Sequence, residues 1–96
     1  MSLVKWSRRA MNDLQRVAEF TRQQSREKEL ELTTSLVKAT EQLRAFPYSG
    51  SVYRASAADP ESRSLLVGKM HRLVYKVDEA DEVTILQVLD MRSDNK

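Results

Sequence analysis

Residues 63–77 read RSLLVGKMHRLVYKV, in which two apolar runs flank the pair Gly68-Lys69. Aliphatic and β-branched runs on either side of a glycine-led turn are typical of a β-hairpin. We therefore predict strands over Arg63–Val67 and Met70–Val77, joined by a two-residue type II′ turn.

Two more strands are predicted, one after the hairpin and one at the start of the chain. The apolar run VTILQVL at 83–89 predicts a buried strand, and the acidic residues 78–82 before it predict a solvated turn. A β-branched and aromatic run predicts a short strand over Ser2–Trp6. Residues 48–61 are rich in serine and small side chains, so they are predicted to form a loop.

Two helices are predicted between the first strand and this loop. Ser7 can cap the first helix, Arg8–Arg22, because apolar residues recur at helical spacing from there on. The predicted core stripe of this helix is Ala10, Leu14, Val17 and Thr21, widened by Met11 and Ala18. The second helix, with Ser25 as its cap, has the stripe Leu32, Leu36, Ala39 and Leu43, and it ends before Phe46, Pro47 and Gly50.

Residues 22–29 include no apolar residue. The apolar stripes of the two predicted helices are nearly in phase across this segment. A single helix over Arg8–Ala45 is therefore an alternative. At 1.5 Å per residue, such a helix would be about 57 Å long, which is more than a domain of this size can use. We therefore prefer a helical hairpin that bends within the polar segment.

The predicted order is strand, helix, helix, strand, strand, strand, in a single domain over 1–96. This order indicates the α+β class, with the helical hairpin packed on one face of a small, mostly antiparallel sheet. The 96 residues include no cysteine, which excludes disulfides, zinc-thiolate sites and a cysteine nucleophile. No apolar run approaches the roughly 20 residues of a membrane span. We expect a cytoplasmic protein that does not contact the membrane and has no cofactor or metal.

The net charge of +2 hides an uneven distribution along the chain. Residues 1–26 contain six basic and two acidic residues, residues 54–76 five and two, and residues 77–96 two and six. Arg8 and Arg9 fall in the first turn of a predicted helix, where cations oppose the helix dipole. This mild local cost indicates that some other requirement keeps them there.

The predicted two-residue turn assigns the hairpin side chains to faces. Pairing of Val67 with Met70 would place Arg63, Arg72 and Lys76 on one face, and Ser64, Leu66, His71, Leu73 and Tyr75 on the face toward the helices. Two arginines on one face could bind a phosphate or carboxylate group together. The alternative is that their stems cover apolar neighbours while their heads stay in water. His71, the single histidine, is interpreted as a packed residue rather than a base.

Several short motifs, in order, carry a resemblance to a known family. They are Trp6-Ser7, Ala10, Asp13-Leu14, Phe46-Pro47, Gly50, Arg63-Ser-Leu65, Tyr75 and the final ILQVLDMR. Over essentially the whole chain, this pattern resembles the RelE/ParE superfamily of toxins from bacterial type II toxin-antitoxin modules. The resemblance implies a cytoplasmic toxin that inhibits growth, contributes to plasmid stabilisation, and is neutralised by a cognate antitoxin in a hetero-oligomer.

The resemblance implies one of two activities. RelE-like toxins cleave messenger RNA in the ribosome with basic sheet residues and a C-terminal tyrosine or histidine, whereas ParE-like toxins inhibit DNA gyrase. Because no histidine or tyrosine follows Tyr75 here, we favour the ParE-like branch and assign no catalytic residue. A ribosome-dependent endoribonuclease and a diverged toxin that acts only as a binding module are the alternatives. The candidate target- or anion-binding residues are Arg63, Lys69, Arg72, Lys76 and Arg92.

Overall fold

The computed structural model, which describes residues 2–53 and 61–91, has a helical hairpin on one face of a five-stranded sheet. The elements are β1 (Val4–Trp6), α1 (Arg8–Gln24), α2 (Arg26–Ala45), β2 (Ser51–Val52), β3 (Arg63–Val67), β4 (His71–Val77) and β5 (Val83–Asp90). The strand order is β1-β5-β4-β3-β2, with β1 parallel to β5 and all other pairs antiparallel. The predicted α+β class is confirmed.

Two serines define the helical hairpin. The Oγ of Ser7 accepts the N–H of Ala10 at 3.0 Å and caps the start of α1. Ser25 lies between the helices in an extended conformation, with φ −170° and ψ 135°. Its N–H donates to the carbonyl of Thr21 and its Oγ accepts the N–H of Lys28, so one residue ends α1 and caps α2. The predicted hairpin and both caps are confirmed, and the single long helix is wrong.

The core lies between the hairpin and one face of the sheet. Its buried side chains are Ala10, Ala39, Leu43, Val67, Leu73, Tyr75, Val83, Ile85 and Val88, with Leu14, Val17, Leu36 and Trp6 packed against them. The predicted helical stripes are therefore confirmed except at Met11, whose side chain is exposed. Asp13 is instead buried where α1 contacts β5. The sequence analysis did not place it in the core.

The turn between β3 and β4 has three residues, Gly68 to Met70, and the predicted two-residue turn is wrong. Gly68 has φ +62°, a left-handed conformation that glycine adopts without steric cost. The extra residue shifts the register, so that Val67 pairs with His71 and Leu65 with Leu73. Because successive strand residues point to opposite faces, this shift moves every β3 side chain to the other face.

The corrected register changes what β3 contributes to the core. Leu65 and Val67 pack toward the helices, whereas Leu66 is exposed on the opposite face. The predicted placement of Ser64 and Leu66 against the helices is therefore wrong. The predicted placement of His71, Leu73 and Tyr75 is confirmed, because the assignment of β4 does not depend on the turn.

Strand β2 falls within the predicted loop at 48–61. It pairs with the outer edge of β3 through Ser51 opposite Ser64 and Val52 opposite Arg63. Two residues are too short to show an alternating pattern, so sequence periodicity gives no signal for this strand. Residues 54–60 of the predicted loop and the tail from residue 92 lie outside the described residues.

A β-bulge in β5 is held by two side chains at the start of α1. Tyr75 pairs with Ile85 and Val74 with Gln87, which leaves Leu86 as the extra residue. Ser7 donates its hydroxyl to the carbonyl of Leu86 at 3.1 Å, and Asp13 accepts the N–H of Val88. These bonds fix the angle at which α1 crosses the sheet. Among residues 2–53 and 61–91, neither helix has the length and hydropathy to cross a membrane.

Substitution of Gly50 by alanine tests the close packing at this residue. A Cβ at this position would lie 2.5 Å from the carbonyl oxygen of Ser64 and 2.6 Å from the hydroxyl of Tyr75. We expect Gly50→Ala to lower the free energy of unfolding by about 1–3 kcal/mol, because the backbone must move. Urea denaturation measures this, with the exposed neighbouring substitution Ser51→Ala as control. Equal unfolding midpoints for the two variants would contradict the packing described.

Candidate functional site

The face of the sheet turned away from the helices carries a set of cationic and polar side chains. The register places on it Lys5 of β1, Ser64 and Leu66 of β3, Arg72, Val74 and Lys76 of β4, and Thr84, Gln87 and Leu89 of β5. We call this surface the open face. Most of its charged groups are positive, in agreement with the basic character of the hairpin sequence.

Arg72 is the most rigidly held cation of the open face. Its Nη1 donates to the Oγ of Ser64 at 2.7 Å, and Ser64 is itself buried. A guanidinium has five N–H donors, so this bond fixes the group without exhausting its capacity to bind an anion. Val74, next to Arg72 on the same face, is fully buried.

Two lysines extend the positive surface along the strands. Lys76 is exposed and lies four residues beyond Arg72, or about 13 Å along β4. Lys76 pairs with Thr84, and Thr84 pairs with Lys5 of the edge strand. Lys5 forms an ion pair with Glu82 at 3.2 Å, which partly offsets its charge. The open face therefore carries two cations, Arg72 and Lys76, along one strand.

Arg63 does not belong to the open face. It pairs with Tyr75 and so points to the helix side at the edge of the sheet. There its Nη1 donates to the carbonyl of Gly50 at 2.9 Å and to that of Tyr48 at 3.4 Å. The guanidinium also lies 5.2 Å from the centroid of the Tyr48 ring. The predicted sharing of one face by Arg63 and Arg72 is wrong, because it depended on the two-residue turn.

The hydroxyl of Tyr75 bonds to the backbone of Gly50, as Arg63 does. It accepts the N–H of Gly50 at 2.9 Å in the core. Burial raises the pKa of Tyr75, and the N–H of Gly50 and the charge of Arg63 offset part of that rise. Tyr75 is therefore a neutral structural group at physiological pH. Because His71 shares its face, neither side chain reaches the open face.

A groove lies between the end of the helical hairpin and the β3–β4 turn. Its volume is about 760 Å³, and the residues that line it include Thr21, Leu30, Leu32, Lys69, Met70 and His71. We call it the hairpin-tip groove. The candidate residue Lys69 is exposed on its rim rather than on the open face. Arg92, the remaining candidate, lies outside the described residues.

The structure also shows a charged group that the sequence analysis did not single out. Asp13 has only 4% of its surface exposed, and its Oδ2 accepts the N–H of Val88 at 3.1 Å. Arg16 contacts Oδ1 at 2.6 Å, and Arg9 lies 3.7 Å from Oδ2. The spacing of these arginines, four residues before and three after one carboxylate, was the available sequence signal. Among the described residues, no cluster of histidine and carboxylate groups could hold a metal ion.

Comparison with known families identifies the fold. The model of the ParE toxin of the type II toxin-antitoxin system, parDE, matches residues 4–95. The chain belongs to this family. It is therefore the toxin component of a type II toxin-antitoxin system, within the RelE/ParE superfamily that the sequence motifs resemble.

Solved structures show the same fold at low sequence identity. The chromosomal ParDE toxin-antitoxin system from P. aeruginosa aligns with a TM-score of 0.70 and 22% identity, covering 94% of this chain and 96% of that chain. The YoeB/ParE toxin from Agrobacterium tumefaciens aligns at 0.63 and 14%, covering 92% and 96%. The YoeB-YefM complex from Staphylococcus aureus aligns at 0.57 and 18%, covering 92% and 94%. No sequence among the curated proteins matches the chain.

The hydrogen bonds of Arg63 predict a structural effect for its substitution. Arg63→Ala removes hydrogen bonds to two backbone carbonyls, so we expect the free energy of unfolding to fall by about 1–3 kcal/mol. Lys76→Ala, at an exposed position of the same hairpin, should change it by less than about 0.5 kcal/mol. Chemical denaturation of both variants measures the difference. An Arg63→Ala toxin as stable as the Lys76→Ala toxin would show that the hydrogen bonds of Arg63 do not stabilise the fold.

Proposed function

We propose that this toxin inhibits DNA gyrase by binding, without cleaving nucleic acid, and so blocks replication and growth in the cytoplasm. The observation that carries the proposal is the separation of two kinds of side chain. The cationic groups Arg72 and Lys76 lie on the open face, whereas His71 and Tyr75 lie on the helix-covered face. The open face is therefore suited to binding a charged partner.

The chemistry of RNA cleavage explains why this separation matters. Attack by the 2′-hydroxyl needs a base beside that hydroxyl and an acid or cation at the leaving oxygen. Tyr75 is fully buried and bonded to Gly50, and His71 is buried on the same side. Arg72 could stabilise negative charge, but a guanidinium is protonated at all physiological pH values and does not act as a base. In this proposal, Arg72, Lys76 and the C-terminal Arg92 contact gyrase or its bound DNA.

A supercoiling assay tests the proposed target. Purified toxin, separated from its antitoxin, should inhibit supercoiling of relaxed plasmid by gyrase. The double variant Arg72→Ala/Lys76→Ala should need at least about tenfold more protein for the same inhibition, because it cannot form two charge-assisted hydrogen bonds to the target. Arg26→Ala/Lys38→Ala removes two exposed cations of α2 and serves as the charge-matched control. Full inhibition by the open-face variant would contradict the proposed binding surface.

The cationic open face also fits the phosphates of RNA. RNA cleavage is therefore the second candidate activity. In a ribosome-dependent endoribonuclease, Arg72 would hold the phosphate and stabilise the transition state. Expression of the toxin followed by mapping of messenger RNA ends distinguishes the two activities. New messenger RNA ends at defined codons, without gyrase inhibition, would indicate an endoribonuclease. A folded toxin that shows neither effect would be a diverged toxin that acts only as a binding module.

We further propose that the cognate antitoxin docks in the hairpin-tip groove and forms a hetero-oligomer with the toxin. Leu30 on the groove is 63% exposed and Met70 is 37% exposed, so a partner is needed to remove this apolar surface from water. Two lysines and two glutamates also line the groove: Lys28, Lys69, Glu27 and Glu31. An amphipathic segment that folds on binding, with charged residues of both signs beside its apolar face, matches these features. The related structure from Staphylococcus aureus is itself a YoeB-YefM complex.

Two exposed apolar residues of α2 provide a matched test of this docking site. Leu30→Glu places a carboxylate in the groove and should weaken antitoxin binding at least about tenfold, because the charge must be desolvated. Val37→Glu changes a residue that is also about half exposed but lies outside the lining of the groove, and should leave binding unchanged. Isothermal titration with the purified antitoxin measures both. Equal affinities for the two variants would place the docking site elsewhere.

A further inference from the structure

His71 is the single histidine of the chain, and the structure places it in the lining of the hairpin-tip groove. It is the first residue of β4, and 9% of its surface is exposed. Leu73 and Tyr75, on the same face of the strand, belong to the core. The imidazole therefore lies between the apolar interior and the groove in which the antitoxin is proposed to dock.

Within the sheet, His71 lies between an apolar and an acidic neighbour. The register sets it opposite Val67 of β3 and opposite Asp90 of β5. Val67 is buried, whereas Asp90 is partly exposed. Side chains directly opposite each other on antiparallel strands share a face, with Cβ atoms about 4.5–5.5 Å apart. Asp90 is therefore placed to interact with a positive charge on His71.

The helices and the β3–β4 turn provide the other polar side chains around the imidazole. Those that line the groove with it are Glu27, Lys28 and Glu31 of α2, Lys69 of the turn, and the uncharged Thr21 and Gln24 of α1. The four charged residues are exposed and carry no net charge together. The buried carboxylate of α1, Asp13, contacts β5 at Val88 and is ion-paired with Arg16.

Histidine differs from these neighbours in the pH range over which its charge changes. Carboxyl groups ordinarily titrate near pH 4 and lysine near pH 10, whereas the ordinary histidine value is about 6.5. Histidine is therefore the side chain that changes charge between about pH 5 and 8. Among the described residues that line the groove, this type of side chain is present at His71 alone.

Docking of a partner changes the surroundings of the imidazole. The groove has a volume of about 760 Å³, and its lining includes the apolar side chains Leu30, Leu32 and Met70. An apolar segment that packs against them would cover the part of His71 that is still exposed. Loss of hydration disfavours the charged form of a buried group, and the attraction of an ion partner does not always offset that loss. Docking therefore favours the neutral imidazole.

We propose that antitoxin binding is coupled to the protonation of His71, so that acid weakens the toxin-antitoxin complex. The proposal rests on docking in the hairpin-tip groove and adds a regulation of that same site. Because docking favours neutral histidine, the full affinity is present above the pH at which His71 titrates in the free toxin. The affinity is lost as the pH falls below that value.

Isothermal titration of the toxin with its purified antitoxin tests this coupling. His71→Gln retains a polar side chain but does not titrate. If His71 titrates near the ordinary histidine value and is neutral in the complex, the affinity of the unmodified toxin should fall about tenfold more than that of His71→Gln between about pH 7.5 and pH 5.5. The comparison removes the contribution of groups that titrate on the antitoxin.

A matched control removes a different charge from the groove. Glu31→Gln changes an exposed carboxylate of the α2 wall and leaves the imidazole in place. Because carboxyl groups ordinarily titrate near pH 4, this variant should keep the same fall in affinity as the unmodified toxin. Loss of the pH dependence in Glu31→Gln would assign the coupling to α2 and overturn the proposal.

Proton NMR of the unmodified toxin gives a measurement that needs no variant. With isotopically labelled toxin and unlabelled antitoxin, the imidazole signals report His71 alone, because the chain has one histidine. The midpoint of its titration should move to lower pH when the antitoxin binds. If His71→Gln does not fold, this measurement decides the question. A midpoint that stays unchanged or moves to higher pH would overturn the proposal.

Leu30→Glu distinguishes failure of the coupling from failure of the docking site. If Leu30→Glu weakens binding but the unmodified toxin and His71→Gln show equal pH dependence, the docking site stands and the coupling is wrong. If Leu30→Glu binds the antitoxin as tightly as the unmodified toxin, the docking site is wrong and the coupling fails with it.

Discussion

The left-handed conformation of Gly68 sets the register on which both surfaces of the sheet depend. With φ +62° at this residue, the turn takes three residues, and Val67 lies opposite His71. Leu65 and Val67 then enter the core, and Arg72 faces away from the helices beside Ser64. A turn one residue shorter would bring Ser64 and Leu66 to the helices and place Leu65 and Val67 in water. Burial of apolar surface therefore selects the longer turn.

The opposite edge of the sheet depends on hydrogen bonds rather than on apolar burial. Tyr75 reaches from β4 to the N–H of Gly50, and Arg63 reaches from β3 to its carbonyl. Both bonds hold the chain that leaves α2 against the sheet, and Gly50 leaves no room for a side chain because it lies against backbone. Arg63, which the sequence indicated as a candidate target-binding residue, thus has a structural role. The distinction matters for mutagenesis, because loss of toxicity on its substitution would report folding.

The distribution of charge follows from the topology, which also gives the toxin two chemically different surfaces. The parallel pairing of β1 with β5 brings the start of α1 beside the middle of β5, and Asp13 then connects α1 to Val88. The carboxylates gather at the other end of the sheet, where they turn β4 into β5. The open face and the hairpin-tip groove lie on opposite sides of the sheet. In our proposals, each binds a different partner.

Local patterns in the sequence determined the two helices, their serine caps, the four longer strands and the family. The chemistry of a cap or an apolar stripe involves residues only a few positions apart, so the sequence contains it in full. Tertiary structure alone decided the faces of β3, the pairing of β2 and the burial of Asp13. A shift of one residue in a turn costs little locally but reverses every side chain of a strand. Likewise, only the approach of Val88, 75 positions away, gives the Asp13 carboxylate a reason to be buried.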